Sequence, residues 1–168
     1  VTGNLGDSYL GLKALSNKAK LKNKDKLFFV DKYYKPELPL NLTKYLLKFA
    51  NSSIDVSDGL IDDLEKMINR QRLSFHLFEN KIPVSSKLSN FIKQQRLNKI
   101  NLISNGDDYQ VLFTADINKA RIIQKASKTT GIKITKIGKI VSGKSRSLIF
   151  DAKGKQIQAK SKGYIHRF

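Results

Sequence analysis

The stretch Ile54 to Leu64, I-D-V-S-D-G-L-I-D-D-L, constrains this chain more than any other. Ile54 and Val56 bracket Asp55 in a short run that suits a strand, and Leu60, Ile61, Leu64, Met67 and Ile68 then recur at helical spacing. Ser57, Asp58 and Gly59 form a polar break between them, so the pattern predicts a strand-to-helix junction with carboxylates at its mouth. Asp55 falls at the end of the strand and Asp58 in the first helical turn, with free backbone N–H groups close by. Carboxylate oxygens are hard donors of the kind Mg²⁺ prefers, and the ion is commonly held by one or two of them with water and substrate phosphates. Asp55 and Asp58 are therefore candidate Mg²⁺ ligands, and Ser57 offers a hydroxyl to a phosphate. The same residues also suit a helix start without any ligand, because Ser and Asp cap N-termini and first-turn acids complement the helix dipole.

A chain of 168 residues can bury one sizeable core but leaves little room for a second full domain. It starts at Val1 and its only methionine is Met67, so part of a longer product is expected. The absence of cysteine excludes disulfide frameworks and thiolate zinc sites. No apolar run approaches the length of a bilayer span and no signal peptide is evident, so a soluble cytoplasmic domain with no membrane partner is the expectation. A formal charge of +18 invites a nucleic-acid reading. That charge is mostly lysine scattered from Lys13 to Lys162, and net charge speaks to association rather than to chemistry, so nucleic acid is not expected as the main partner.

Along the chain, Val1 to Asp7 reads as a strand end and a turn in which Gly3 and Gly6 can bring N–H groups to a phosphate. A helix with Tyr9, Leu12 and Leu15 on its apolar face follows. Residues 18–26 read as a solvated connection, and 27–34 as a helix ending before Pro36. An extended segment through Pro36 and Pro39 leads to a helix of Leu42, Tyr45, Leu46 and Phe49. Leu73 to Phe78 alternates like a strand and leaves His76 on the more polar face, a structural or surface histidine rather than a metal ligand. Lys87 to Arg96 reads as a helix and 101–106 as a loop.

From Asp107 to Thr114 acids run into a strand. The acids either meet a metal or cationic ligand or serve turn chemistry with Asn105 and Gly106. Asp116 to Lys128 reads as a helix closed by Gly131, 132–140 as a strand, and Leu148 to Ile157 as a terminal hairpin. This order predicts an α/β fold with a mixed sheet. Gly138 to Ser145 satisfies the G-x-x-x-x-G-K-[ST] phosphate-loop pattern letter for letter. That mechanism requires a helix beginning at the lysine, whereas the strand-like Leu148-Ile149-Phe150 follows here, so the segment reads as a hairpin turn.

Five segments resemble one family, in the same order and over nearly the whole chain. V-T-G-N-L-G-D-S at Val1, Y-Y-K-P at Tyr33, I-D-V-S-D-G-L at Ile54, N-G-D-D-Y-Q-V-L-F-T at Asn105 and K-G-Y-I-H at Lys162 resemble the C-terminal half of thiamine-monophosphate kinase. The resemblance implies a layered α/β/α domain with a mixed sheet, like the C-terminal domain of the aminoimidazole ribonucleotide synthetase superfamily. It further implies transfer of the ATP γ-phosphate to thiamine monophosphate, with Mg²⁺ and by direct in-line displacement, giving thiamine diphosphate. Such transfer depends on positioning and on neutralising phosphate charge, which clustered carboxylates holding Mg²⁺ can serve.

By the same likeness Asp55 and Asp58 are Mg²⁺ ligands, Ser57 contacts ATP, Asp107 contacts substrate and Tyr164 sits against the thiamine moiety. The family's N-terminal half, with most ATP and Mg²⁺ contacts and the dimer interface, is not in this chain. The chain alone is therefore expected to be inactive and the full-length protein a homodimer. Where relatives have Gly-Gly-Glu-Asp-Tyr this chain has Asn105-Gly106-Asp107-Asp108-Tyr109, so its substrate acid is one methylene shorter. A related ATP-dependent enzyme of the same superfamily and a basic nucleic-acid-binding module are the alternative readings.

Overall fold

Short strands and helices alternate along the computed structural model, which describes residues 1–68, 71–143 and 147–163. Thr2 makes an isolated antiparallel bridge with Ile134, and α1 (Asp7–Leu15) and α2 (Asn23–Tyr34) then pack together. Their backbones approach closely at Gly11, where a Cβ would stand 2.1 Å from the Phe29 carbonyl oxygen. That approach makes Leu10, Gly11 and Ala14 the buried side of α1; of the expected face, Tyr9 packs against the Leu10 and Phe29 cluster and Leu12 is half-buried, whereas Leu15 is exposed. The helix α2 starts within the expected connection and ends before Pro36 as anticipated. A 3-10 turn at Leu40–Leu42 and the short α3 (Thr43–Leu46) replace the longer helix expected there, although Leu42 and Phe49 are both buried against Ala126.

The central junction forms as its pattern dictates. β1 (Ser52–Asp55) pairs antiparallel with β3 (Val111–Thr114), and α4 (Leu60–Ile68) follows after the polar break. Leu60, Ile61, Leu64 and Ile68 turn into a core with Val56, Phe75 and Leu77. Fully burying each such aliphatic side chain stabilises by about 1.5–3 kcal/mol.

The larger sheet is mixed. β2 (Leu73–Phe78) lies between β4 (Gly138–Ser142), which is antiparallel to it, and β5 (Leu148–Phe150), which is parallel; β6 (Gln156–Ile157) pairs antiparallel with β5. The terminal hairpin is thus as expected. The segment from Gly138 is not a hairpin turn, because β4 and β5 sit on opposite sides of β2. Lys144 and Ser145 lie outside the described residues, and β5 begins too soon after them for a phosphate-loop helix.

The strand expected over 132–140 is reduced to the bridge at Ile134 before β4. β3 starts only at Val111, because Asp107 and Tyr109 take left-handed φ angles of 66° and 50°. α5 (Ser86–Gln95) is capped by the Ser85 hydroxyl, which accepts the Leu88 amide at 3.1 Å. α6 (Ile100–Ile103) occupies the expected loop, and α7 (Ala120–Thr130) ends at Gly131 with φ 71° as anticipated. His76 is half-buried and edge-on to Phe150 at 5.5 Å between ring centres, a packing role. Among the described residues no helix is long and apolar enough to cross a membrane.

Candidate functional site

Two backbone segments form the mouth of the junction. Beyond β1, Val56 donates its amide to the Gln110 carbonyl at 2.8 Å and accepts the Tyr109 amide at 2.9 Å, while the Asp107 amide donates to the Ser57 carbonyl at 2.9 Å. The segments can close on each other because glycine stands at both crossings. A Cβ at Gly106 would meet the Ser57 carbonyl oxygen at 1.6 Å, and one at Gly59 the Ser104 carbonyl oxygen at 2.1 Å. Asp107 is thereby carried beside Asp58. Burial raises the Asp107 carboxyl above its ordinary range and the Asp58 charge adds to the effect.

The backbone amides expected to lie free are taken. Asp63 Oδ2 accepts from the Ser57, Asp58 and Gly59 amides, each at 3.0 Å. The helix starts at Leu60 rather than at Asp58, so Asp58 stands in the turn that Asp63 ties down. Any phosphate contact from Ser57 would have to come from its hydroxyl. Asp63 was not singled out as a site residue from sequence; an acid placed near the fourth position of a helix, as in a capping box, was the available signal.

Lys66 occupies the open side of this turn. Its ammonium lies 2.5 Å from Asp58 Oδ2, 2.6 Å from Asp62 Oδ2 and 3.2 Å from Asp63 Oδ1. The hydrogen bond to Asp58 and then that to Asp62 raise its pKa. One carboxylate oxygen from each of Asp58, Asp62 and Asp63 lies within 4.8 Å of the others, a hard-donor set that fits Mg²⁺. Asp55 lies at the exposed end of β1, outside this group of three.

Asp55 is still close enough to influence the mouth. The Tyr109 phenol is raised first by burial, then by the charges of Asp107 and Asp55. The C-terminal segment also reaches this place. The Lys162 carbonyl accepts the Asp62 amide at 3.0 Å, and a Cβ on Gly163 would stand 2.6 Å from Asp62 Cβ and 2.9 Å from the Asp58 carbonyl oxygen. Tyr164 lies outside the described residues.

The acid pair 107–108 divides between two jobs. Asp108 is 4% exposed and points away from Asp107, accepting the Gly6 amide at 2.7 Å; burial pushes its carboxyl well above the usual range. The Gly6 and Gly3 amides are thus not available to a phosphate, since Gly3 donates to the Lys133 carbonyl at 2.9 Å. Asp7 is also buried and accepts the Ser85 hydroxyl at 2.7 Å. These groups line a cavity of about 260 Å³ together with Asn4, Lys32 and Gln110.

Fold and mouth together define a mixed α/β domain that gathers carboxylates at a glycine-bound strand-to-helix turn. Comparison with known proteins narrows the class. A thiamine-monophosphate kinase of Buchnera aphidicola subsp. Schizaphis graminum is 34% identical over 99% of this chain, which covers 51% of that protein. Its counterpart in Buchnera aphidicola subsp. Acyrthosiphon pisum is 35% identical over the same 99%, again with 51% of that protein covered. The solved structure of AaThiL complexed with AMPPCP and TMP matches with a TM-score of 0.76 at 27% identity, over 99% of this chain and 50% of that one. No family model matches the chain. The resemblance to thiamine-monophosphate kinase therefore holds along essentially the whole sequence, and the chain spans about half the length of the curated relatives it matches.

Proposed function

We propose that this chain is the C-terminal domain of a cytoplasmic, homodimeric kinase that transfers the γ-phosphate of ATP to thiamine monophosphate, giving thiamine diphosphate. The observation that carries the reading is the Asp58, Asp62 and Asp63 cluster at the turn of a chain whose relatives are thiamine-monophosphate kinases. Mg²⁺ bound there would neutralise phosphate charge, the main requirement of this chemistry. Asp55 and Asp58 would hold the ion, with phosphate oxygens and water completing its shell.

The remaining roles follow from the chain's own groups. Asp63 holds the turn rigid through its three amide hydrogen bonds, and the Ser57 hydroxyl meets an ATP phosphate. Asp107 contacts the substrate from the second segment, and Tyr164 is the residue assigned to the thiamine moiety by the family resemblance. In-line transfer needs no residue to be phosphorylated. The other half of the relatives' length would supply most ATP contacts, further acidic ligands and the dimer interface, so the chain alone is catalytically incomplete.

The deciding experiment is an ATP-dependent thiamine diphosphate assay on the full gene product beside Asp55→Asn. Product from the wild type and a loss of at least about 100-fold in the variant is the expected result, of the order seen for losing an electrostatic contact at a reacting phosphate. A folded dimer that makes no product would overturn the reading in favour of a related ATP-dependent enzyme.

A further inference from the structure

We propose that Tyr109 is a substrate-binding residue whose ring forms a wall for a planar, cationic ring of the phosphate acceptor; the inference rests on the thiamine-monophosphate reading above. Tyr109 takes a left-handed φ of 50°. That region suits glycine, asparagine and aspartate, and a bulky aromatic residue enters it only at a cost. Core packing does not offset the cost here. The residue is 40% exposed and belongs to none of the apolar clusters. Among the described residues its ring has no aromatic contact and its hydroxyl no hydrogen-bond partner. A strained and unpacked aromatic residue in a candidate site points to function rather than to stability.

The backbone fixes where the ring goes. The Asp107 amide donates to the Ser57 carbonyl at 2.9 Å and the Tyr109 amide to the Val56 carbonyl at 2.9 Å, which ties the turn to the β1–α4 junction at two points. Between them Asp108 is drawn inward by the Gly6 amide at 2.7 Å. Asp107 and Tyr109, both left-handed, flank that anchor. The charges of Asp107, Asp55 and Asp58, together with the Tyr33 phenol, act on the Tyr109 hydroxyl, in keeping with a ring that stands among them. A π-face in acidic surroundings attracts a cation and disfavours a phosphate. Thiamine monophosphate carries its positive charge on a flat thiazolium ring, so that end of the acceptor lies against Tyr109.

Tyr109→Asn tests this, because asparagine keeps the left-handed backbone and removes the ring. On the full gene product it should raise the KM for thiamine monophosphate about tenfold and leave the KM for ATP unchanged. Tyr109→Phe keeps the ring face and should recover most of that loss. An unchanged KM for thiamine monophosphate in Tyr109→Asn, a parallel rise in both KM values, or no recovery in Tyr109→Phe overturns the proposal. A second measurement needs neither catalysis nor the asparagine variant. Thiamine monophosphate is titrated without ATP into wild-type protein carrying ¹³C-labelled tyrosine, and the Tyr109 ring signal is identified by its absence from Tyr109→Phe. That signal should move upfield as ligand binds, and a signal unmoved at the highest ligand concentration overturns the proposal. A wild type that shows the shift yet makes no thiamine diphosphate would sink the kinase reading alone.

Discussion

The α-carbon of Gly106 lies directly against the carbonyl oxygen of Ser57, so close that a methyl group built on it would stand 1.6 Å from that oxygen. Both atoms in conflict belong to backbone, and both segments carry site residues, Asp58 on one and Asp107 on the other.

Gly106→Ala therefore has no side chain to push aside and must part the two segments. The expected loss of folding stability is at least about 3 kcal/mol, in the range of severe backbone and packing lesions. Gly131→Ala is the control: its φ is 71° with nothing within 4 Å, so only backbone strain opposes it, about 1–2 kcal/mol. Denaturant melts of the two variants should differ clearly. Equal losses would show that the crossing is not close-packed.

Asp63 and Asp62 are neighbours with opposite jobs. Asp63→Ala strips the acceptor from three amides, and each buried donor left unpaired costs about 1–3 kcal/mol, so a loss of several kcal/mol is expected. Asp62→Ala removes one partner of a half-exposed ion pair and should cost less than about 1 kcal/mol. Thermal unfolding in metal-free buffer separates them.

Asp107 holds its left-handed conformation at φ 66°, which Asn tolerates as well as Asp. Asp107→Asn should therefore fold at least as stably as wild type, since it also removes a carboxylate disfavoured by burial and by Asp58, yet raise the KM for thiamine monophosphate about tenfold through loss of one charged contact. Steady-state kinetics on the full gene product read this directly. An unchanged KM would remove Asp107 from the substrate site.

Burial raises the Asp7 carboxyl from 3.8 to about 6, against the opposing hydrogen bond from Ser85 and the charge of Lys32. Between those values the folded chain holds a proton that the unfolded chain has released, so stability falls as pH rises from about 4 through about 6. The buried Asp108 carboxyl, shifted upward as well, acts in the same direction. Asp7→Asn removes its share of the penalty, up to roughly 3 kcal/mol at pH 7. Its melting temperature should exceed the wild type's at pH 7 and converge with it near pH 4; parallel curves would contradict the assignment.

Much of the architecture was legible locally. The helical spacing from Leu60 to Ile68, the alternation over Leu73 to Phe78 and the glycine at 131 that closes the preceding helix each encode a structure that neighbouring residues suffice to define. The strand-to-helix turn that carries Asp55, Ser57 and Asp58 was legible as a place, but its wiring was not. Nothing in the spacing shows that Asp63 consumes the amides of the turn or that Lys66 fills the gap between Asp58 and Asp62.

By itself, the sequence determined a strand-to-helix junction rich in acids, a mixed α/β fold and a likeness to thiamine-monophosphate kinase. Tertiary structure alone decided which face of α1 packs, that β2 separates β4 from β5, and that Asp107 turns to the mouth while Asp108 turns to Gly6. The physical reason is range. Periodicity and caps act within a few residues, whereas the bond from Thr2 to Gln110 spans 108 positions and the contact of Gly106 with Ser57 joins two loops, so their outcome depends on how distant backbones fit together.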